Sequence, residues 1–174
     1  MAIFNTAFLV YSVMLSFVIS GFPTAISNIT AKHYALKNYT YVKKIANVTS
    51  AILAVTGLLM SLVLFFGSDF FAYALKDPDA SLAIKVISPS IFFVALSTVY
   101  KGFFQGSVNM IPTAISQVVE SIIRLFVGFS AAFLFLKKGT EISSAAALFG
   151  ITFGEILATT MLFFDVFIFQ KKIS

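Results

Sequence analysis

Residues 45–68 read IANVTSAILAVTGLLMSLVLFFGS, from Ile45 to Ser68, without one charged side chain. A helix rises about 1.5 Å per residue, so about 20 mostly apolar residues cross the hydrocarbon of a bilayer. This stretch is long enough. Membrane-spanning strands are about ten residues long and alternate in polarity, whereas Leu58-Leu59-Met60 and Leu62-Val63-Leu64-Phe65-Phe66 are continuously apolar. A helix satisfies its own backbone inside lipid, and it is the conformation this stretch dictates.

Four further runs have the same character. Met1 to Ala31 precedes the first charge, Lys32; Ser81 to Tyr100 is interrupted by Lys85; Pro112 to Leu136 carries Glu120 and Arg124; Ile142 to Gln170 carries Glu155 and Asp165. The expected fold is an all-α polytopic membrane bundle of about five transmembrane helices, near residues 3–31, 45–68, 82–104, 112–136 and 143–170. Together they form a single membrane domain over residues 1–174. Composition agrees. The 174 residues are 59 % hydrophobic and 11 % charged, where a soluble domain has about 45–50 % and about 25 %. A water-soluble globule, a disordered chain and a nucleic-acid binder are thereby excluded. Cysteine is absent and histidine occurs once, which removes disulfides and thiolate metal sites and leaves almost nothing for zinc. With no Ser/His/Asp set and no Gly-rich phosphate loop, neither an enzyme nor a cofactor or metal is expected.

Charge sets the expected topology. Lys32, Lys37, Lys43 and Lys44 follow the first span, Lys101 ends the third, and Lys171 and Lys172 follow the fifth, all on one side. On the other, Lys76, Lys85, Lys137 and Lys138 are balanced by Asp69, Asp77, Asp79 and Glu141. The basic side is expected to be cytoplasmic, with the amino end outside, the carboxyl end inside, and the chain in the cell membrane. Tyr34, Tyr39, Tyr41 and Tyr100 lie near that boundary and Tyr73 near the outer one, as an interfacial belt requires. The phenylalanines are expected to face lipid or fill helix contacts. Three Asn-x-Thr triplets, at Asn28, Asn38 and Asn47, then fall where glycosylation cannot use them. Met1 enters apolar sequence with no basic segment or cleavage site, so this is not a signal peptide. An outside amino end and an odd number of spans suggest a further helix upstream and hence a longer protein.

Several motifs punctuate the helices. Gly21-Phe-Pro23-Thr-Ala-Ile-Ser27 should kink the first span, because proline removes a backbone bond. Pro89 should act similarly in the third. Tyr100-Lys101-Gly102-Phe-Phe-Gln105-Gly106 through Pro112 makes the turn between the third and fourth spans. Gly102–Gly106 and Gly150–Gly154 have the spacing of close helix contacts.

The intramembrane charges carry the most information. Arg124 and Glu155 each lie about 18 Å from the outer ends of adjacent antiparallel helices, near the midplane. Glu120 precedes Arg124 by four residues and shares its face. A cluster Glu120–Arg124–Glu155 is therefore expected, since an unpaired charge there costs about 2.5–3.5 kcal/mol on insertion scales. It is open whether this is an internal salt bridge joining two helices or a cation facing an aqueous cavity that attracts an anionic head group. Neutralising Glu155 alone is expected to misfold the chain. Asp165, about 33 Å along its helix, should be solvated at the cytoplasmic boundary.

Gly21-Phe-Pro-Thr-Ala-Ile-Ser with Ala35-Leu-Lys-Asn-Tyr39, and Tyr100-Lys-Gly-Phe-Phe-Gln-Gly106 through Pro112-Thr-Ala-Ile-Ser-Gln-Val-Val-Glu-Ser-Ile-Ile-Arg124, resemble the polysaccharide-transporter flippases, most closely the stage V sporulation protein B type. These belong to the MATE-like multidrug/oligosaccharidyl-lipid/polysaccharide exporter superfamily, with the MurJ-type lipid II flippases. The resemblance implies two six-helix lobes that rock around a central cavity and move lipid-linked sugars across the membrane. It matches this chain to helices two to six of the amino-terminal lobe, so the first helix and second lobe would lie outside it, in the rest of the protein or a partner chain. Lys101, Gly102, Gln105, Gly106 and Pro112 form the turn motif, and Gln105, Glu120 and Arg124 match the family pattern. The implied function is export of lipid-linked oligosaccharide or of peptidoglycan or polysaccharide precursors. The implied partners are membrane lipids and a lipid-linked sugar. The alternatives are a cation-coupled multidrug antiporter of the same fold, using Glu120 or Glu155 as ion site, and a non-transporting membrane scaffold.

Overall fold

The computed structural model describes residues 2–135 and 139–172, and among these every regular element is helical. Lys137 and Lys138 of the outer charge balance lie outside the described residues, and so do the side chains of Glu141 and Lys172.

The first span is two helices, α1 (Ala2–Ile19) and α2 (Phe22–Ala35). This corrects the expectation of one kinked helix over 3–31. The last bond of α1 runs from Ser20 N–H to the Ser16 carbonyl, and α2 begins with Ala25 N–H on the Gly21 carbonyl, each 3.1 Å. Gly21 sits between them at φ 79°, in the left-handed region. Pro23, at the start of α2, lacks only an N–H that a first turn leaves unbonded. A Cβ on Gly21 would meet nothing within 4 Å, so its cost is purely conformational. Gly21→Ala is expected to lower stability by about 1–2 kcal/mol, read as a small downward shift of the thermal midpoint in detergent.

The basic segment 32–44 is also mostly helical. Lys32 and His33 occupy the last turn of α2, where cations suit the carbonyl end of the helix dipole. Lys37 has φ 56°. The Asn38 side chain then accepts the Tyr41 N–H at 3.5 Å and caps α3 (Tyr39–Phe66), which begins well before Ile45. Charge had been taken to end the helices, but an interfacial helix keeps its backbone bonds while its lysines reach water.

After α3 come a short helix, α4 (Ser68–Ala74), and a 3-10 turn at Pro78–Ala80 that sequence did not suggest. The Ser81 hydroxyl and, at 3.2 Å, the Lys85 ammonium both donate to Asp69. The serine bond first, and the lysine second, hold the Asp69 carboxyl below its ordinary range. So exposed a pair contributes little to stability.

The longest-buried helix is α5 (Ser81–Gly106), packed against α1, α2, α3 and α7. Ile84, Ile87, Ile91, Ala95, Val99, Phe103 and Phe104 are among its fully buried side chains. Pro89 lies inside it and leaves the Lys85 carbonyl without its usual N–H; the Ser88 hydroxyl donates there instead, at 2.9 Å. From α7 (Thr140–Lys172), Thr152 and Thr159 donate to the Val86 and Phe93 carbonyls, each at 3.0 Å. Both pairs advance in the same direction, so α5 and α7 run parallel. The remaining helix, α6 (Ile111–Phe135), lies antiparallel against α7. Its outer face shows Phe126, Phe129, Phe133 and Leu134 to the surroundings. Among the described residues, five segments are long and apolar enough to cross a bilayer: Ile3–Ala35, Tyr39–Phe66, Pro78–Gly106, Ile111–Phe135 and Ile142–Lys171. The protein is an all-α, multi-pass membrane bundle.

Candidate functional site

Glu120 and Arg124 sit one turn apart on the face of α6 that meets α7. The Arg124 guanidinium donates through Nη2 to Glu120 Oε1 and, at 3.4 Å, to Glu155 Oε1 on α7. The closeness of the two helices makes this possible. A Cβ on Gly150 would stand 2.5 Å from the Gly128 backbone, and one on Gly154 would stand 3.1 Å from the Glu120 carbonyl. The bare backbone at Gly150, and to a lesser degree at Gly154, lets the helices come close enough for the carboxylate of one to reach the arginine of the other.

A fourth charge joins them. Lys101 Nζ, on α5, lies 3.5 Å from Glu120 Oε2. Sequence reasoning had assigned Lys101 to the cytoplasmic charge count and missed this contact. The signal was present: Lys101 and Glu120 flank one short turn, and a lysine stem can carry its ammonium inward past the helix end. The result is an alternating row, Lys101–Glu120–Arg124–Glu155, with no net charge. Mutual pairing is how such groups are tolerated at depth.

The row is unevenly covered. The side chains of Glu155 and Glu120 are 7 % and 11 % exposed, whereas that of Arg124 is 40 % exposed. Among the described residues, Arg124 Nε and Glu155 Oε2 have no hydrogen-bond partner. Arg124 also lines a hollow of about 310 Å³ between α1, α6 and α7, whose other walls include Phe4, Leu125, Phe129 and Ile151. Arginine is the one charged member of an otherwise apolar groove.

A second feature was not singled out from sequence. Ser12, Ser16, Ser20, Thr24 and Asn28 recur every fourth residue along α1, the break after it and α2, and from Ser16 onward each is exposed. Continued toward the amino end, the row passes through Phe8 to Phe4 in the groove beside Arg124. Ser12 and Ser16 return their hydroxyls to the Leu9 and Ser12 carbonyls at 2.9 and 2.8 Å. The opposite face, with Val10, Tyr11, Val18 and Ile26, is buried. Four-residue spacing in an apolar helix was the available signal.

Other expected site residues lie apart from the cluster. Gly102 and Gly106 face α2, where a Cβ would come within 3.0 Å of the Pro23 carbonyl and 2.5 Å of the Ser27 carbonyl. Gln105 is exposed in the last turn of α5, and Pro112 opens α6 at its second position. Gly21 and Pro23 mark the α1–α2 break. Of the turn motif, only Lys101 reaches the charged row.

Comparison with known proteins adds to this picture. Residues 1–174 match the family described as polysaccharide biosynthesis protein. The lipid II flippase MurJ of Bacillus subtilis (strain 168) is 29 % identical, over 93 % of this chain and 32 % of its own length. Stage V sporulation protein B of the same organism is 32 % identical, over 88 % and 30 % respectively. Its uncharacterized membrane protein YabM is 32 % identical, over 95 % and 30 %. The chain thus spans about a third of the length of these curated relatives. No solved structure matches it at a comparable level of significance. A match that extends along every helix of the bundle, charged row included, makes this chain a member of the polysaccharide biosynthesis protein family.

Proposed function

We propose that this chain forms most of one lobe, the amino-terminal one, of a flippase. The flippase moves lipid-linked oligosaccharide, or a peptidoglycan or polysaccharide precursor, across the cell membrane by alternating access. The remaining helix of the lobe and a second lobe complete the cavity. The relatives' greater length supports this division, and two are named for flippase or sporulation roles. The basic ends of α2, α3 and α7 face the cytoplasm in this reading.

One observation carries the proposal. A half-exposed arginine lines an apolar groove beside α1, and Ser16, Ser20, Thr24 and Asn28 are exposed along α1, the break and α2. A polar row facing hydrocarbon gains nothing, whereas the same row facing a water-filled cleft is solvated. A substrate with a diphosphate and a hydrocarbon tail needs both surfaces: a fixed cation in place before the anion arrives, and an apolar channel for the tail. Arg124 supplies the first through a side chain that is 40 % exposed although two glutamates pair with it.

The chain has no cysteine, so single cysteines introduced here report accessibility cleanly once any cysteine elsewhere in the complete polypeptide is replaced. In the complete polypeptide, cysteines at Ser16, Ser20 and Thr24 are expected to react with a membrane-impermeant maleimide, and one at the exposed Phe126, outside the groove, is not. Equal protection at all four positions would place the polar row in lipid and remove the cavity wall. Cysteine at Lys37 should react only after the cytoplasmic side is opened.

A cation-coupled antiporter is the second reading. It is favoured by the buried, unpartnered Glu155 Oε2, which has room for a proton. Efflux that depends on an ion gradient and fails in Glu155→Gln, with lipid-linked sugar untouched, would select it.

A further inference from the structure

Away from the charged row, a hollow of about 440 Å³ opens between α3, α5 and α7 at the end of the bundle where the lysines gather. Its size falls within the range of small-molecule sites, about 300–1,000 Å³. Its lining changes character with depth. Toward the basic end stand Asn47 of α3 and Gln170 of α7; Ser50 and the Tyr100 ring face each other on the floor; Phe163 and Phe167 form the apolar wall. On α3 the same face continues one turn outward from Asn47 to the half-buried Lys43, with the exposed Lys44 beside it. Lys171 follows Gln170 on α7. Asp165, the acid nearest in sequence on α7, does not line the hollow.

We propose that this hollow is a binding site for an anionic glycerophospholipid, separate from the groove that holds Arg124. Its phosphate sits at Lys43 and Lys44. Its glycerol esters lie level with Asn47, Ser50, Gln170 and the Tyr100 hydroxyl, and one acyl chain runs along Phe163 and Phe167. Three features match one molecule in order along one axis: cations at the interface, hydrogen-bonding groups one turn deeper, and aromatic rings deeper still. A purely apolar partner helix would leave Asn47, Ser50 and Gln170 unpaired. A soluble anion would leave the phenylalanines uncovered. Basic pockets between helices at the cytoplasmic face are a recurrent place for such head groups.

The test is made in mixed micelles, where neither leaflet nor transport enters, so its failure is distinct from failure of the flippase reading. The complete polypeptide is titrated with phosphatidylglycerol or with phosphatidylcholine of the same acyl chains. Native mass spectrometry follows bound lipid, and thermal unfolding follows stability. Phosphatidylglycerol is expected to remain bound at least fivefold more than phosphatidylcholine and to raise the melting temperature. Lys43→Gln/Lys44→Gln should reduce its retention at least fivefold without changing the melting temperature in phosphatidylcholine. Asn47→Leu should do the same with every lysine in place. The control Lys32→Gln/Lys37→Gln, at the same end but off this face, should retain the lipid. Equal loss in the control would show diffuse charge attraction and overturn the site. So would equal retention of the two lipids, or a dimer held through α3 and α7 that excludes lipid.

Discussion

Replacing Arg124 with methionine in the complete polypeptide is expected to abolish export and to cost the fold about 3–5 kcal/mol, the usual loss when one partner of a buried ion pair is removed. The variant leaves Glu120 and Glu155 around a single cation, Lys101, which touches only Glu120. Glu155 is then buried with neither oxygen paired. The double variant Arg124→Met/Glu155→Met removes one charge of each sign and leaves the Lys101–Glu120 pair whole. It is expected to regain most of the lost stability while export stays absent. Glu155→Gln should be milder than the sequence suggested, because Arg124 keeps its pair with Glu120 and the glutamine amide oxygen can still accept from it. Arg124→Lys keeps the charge but loses the planar fork, so it should fold and export poorly. Thermal midpoints and translocation of a labelled lipid-linked sugar separate the two effects. Export by the double variant would make the row a structural brace alone.

The helices were legible because hydrocarbon imposes so narrow a choice. A charge-free run such as Ile45–Ser68 has one stable conformation in lipid, and the five segments the structure offers as spans are the five read from sequence. Their ends were less legible. Lys32, Lys43 and Lys44 marked where the apolar runs stop, and a helix need not stop there when water solvates its surface. The pairing of Arg124 with Glu155 followed from matched depth on antiparallel neighbours. Lys101 escaped because depth was counted at Cα, while its ammonium reaches Glu120 by the length of its side chain. The row from Ser12 to Asn28 escaped for a different reason. Each polar side chain is unremarkable alone, and the break at Gly21 divides them between α1 and α2, so that their shared exposure shows only in the folded chain.

Gly150→Ala should disrupt the protein more than Gly21→Ala, although the chemical change is the same. At Gly21 the added methyl meets open space and only the left-handed backbone resists it. At Gly150 it would lie 2.5 Å from both N and Cα of Gly128 and 3.0 Å from the Arg124 carbonyl. All three are backbone atoms, so no rotamer change relieves the clash, and α6 must move away from α7 by about an ångström to restore ordinary contact. Overpacking of this kind costs about 1–3 kcal/mol, and the bulkier Gly150→Val should exceed that and prevent assembly in the membrane. The displacement also reaches the charged row. Arg124 already spans 3.4 Å to Glu155, and further separation takes that bond beyond useful length. Gly150→Ala is therefore expected to lower the melting temperature and to impair export beyond what the loss of folded protein explains. Gly57→Ala tests whether the second effect belongs to this pair of helices. A Cβ there would come 2.7 Å from that of Ala95 in the α3–α5 contact, so it should destabilise the bundle while sparing the export of each folded molecule. A Gly150→Ala variant that melts and exports like the parent would show that α6 and α7 are not held at this distance and that the row needs no such approach.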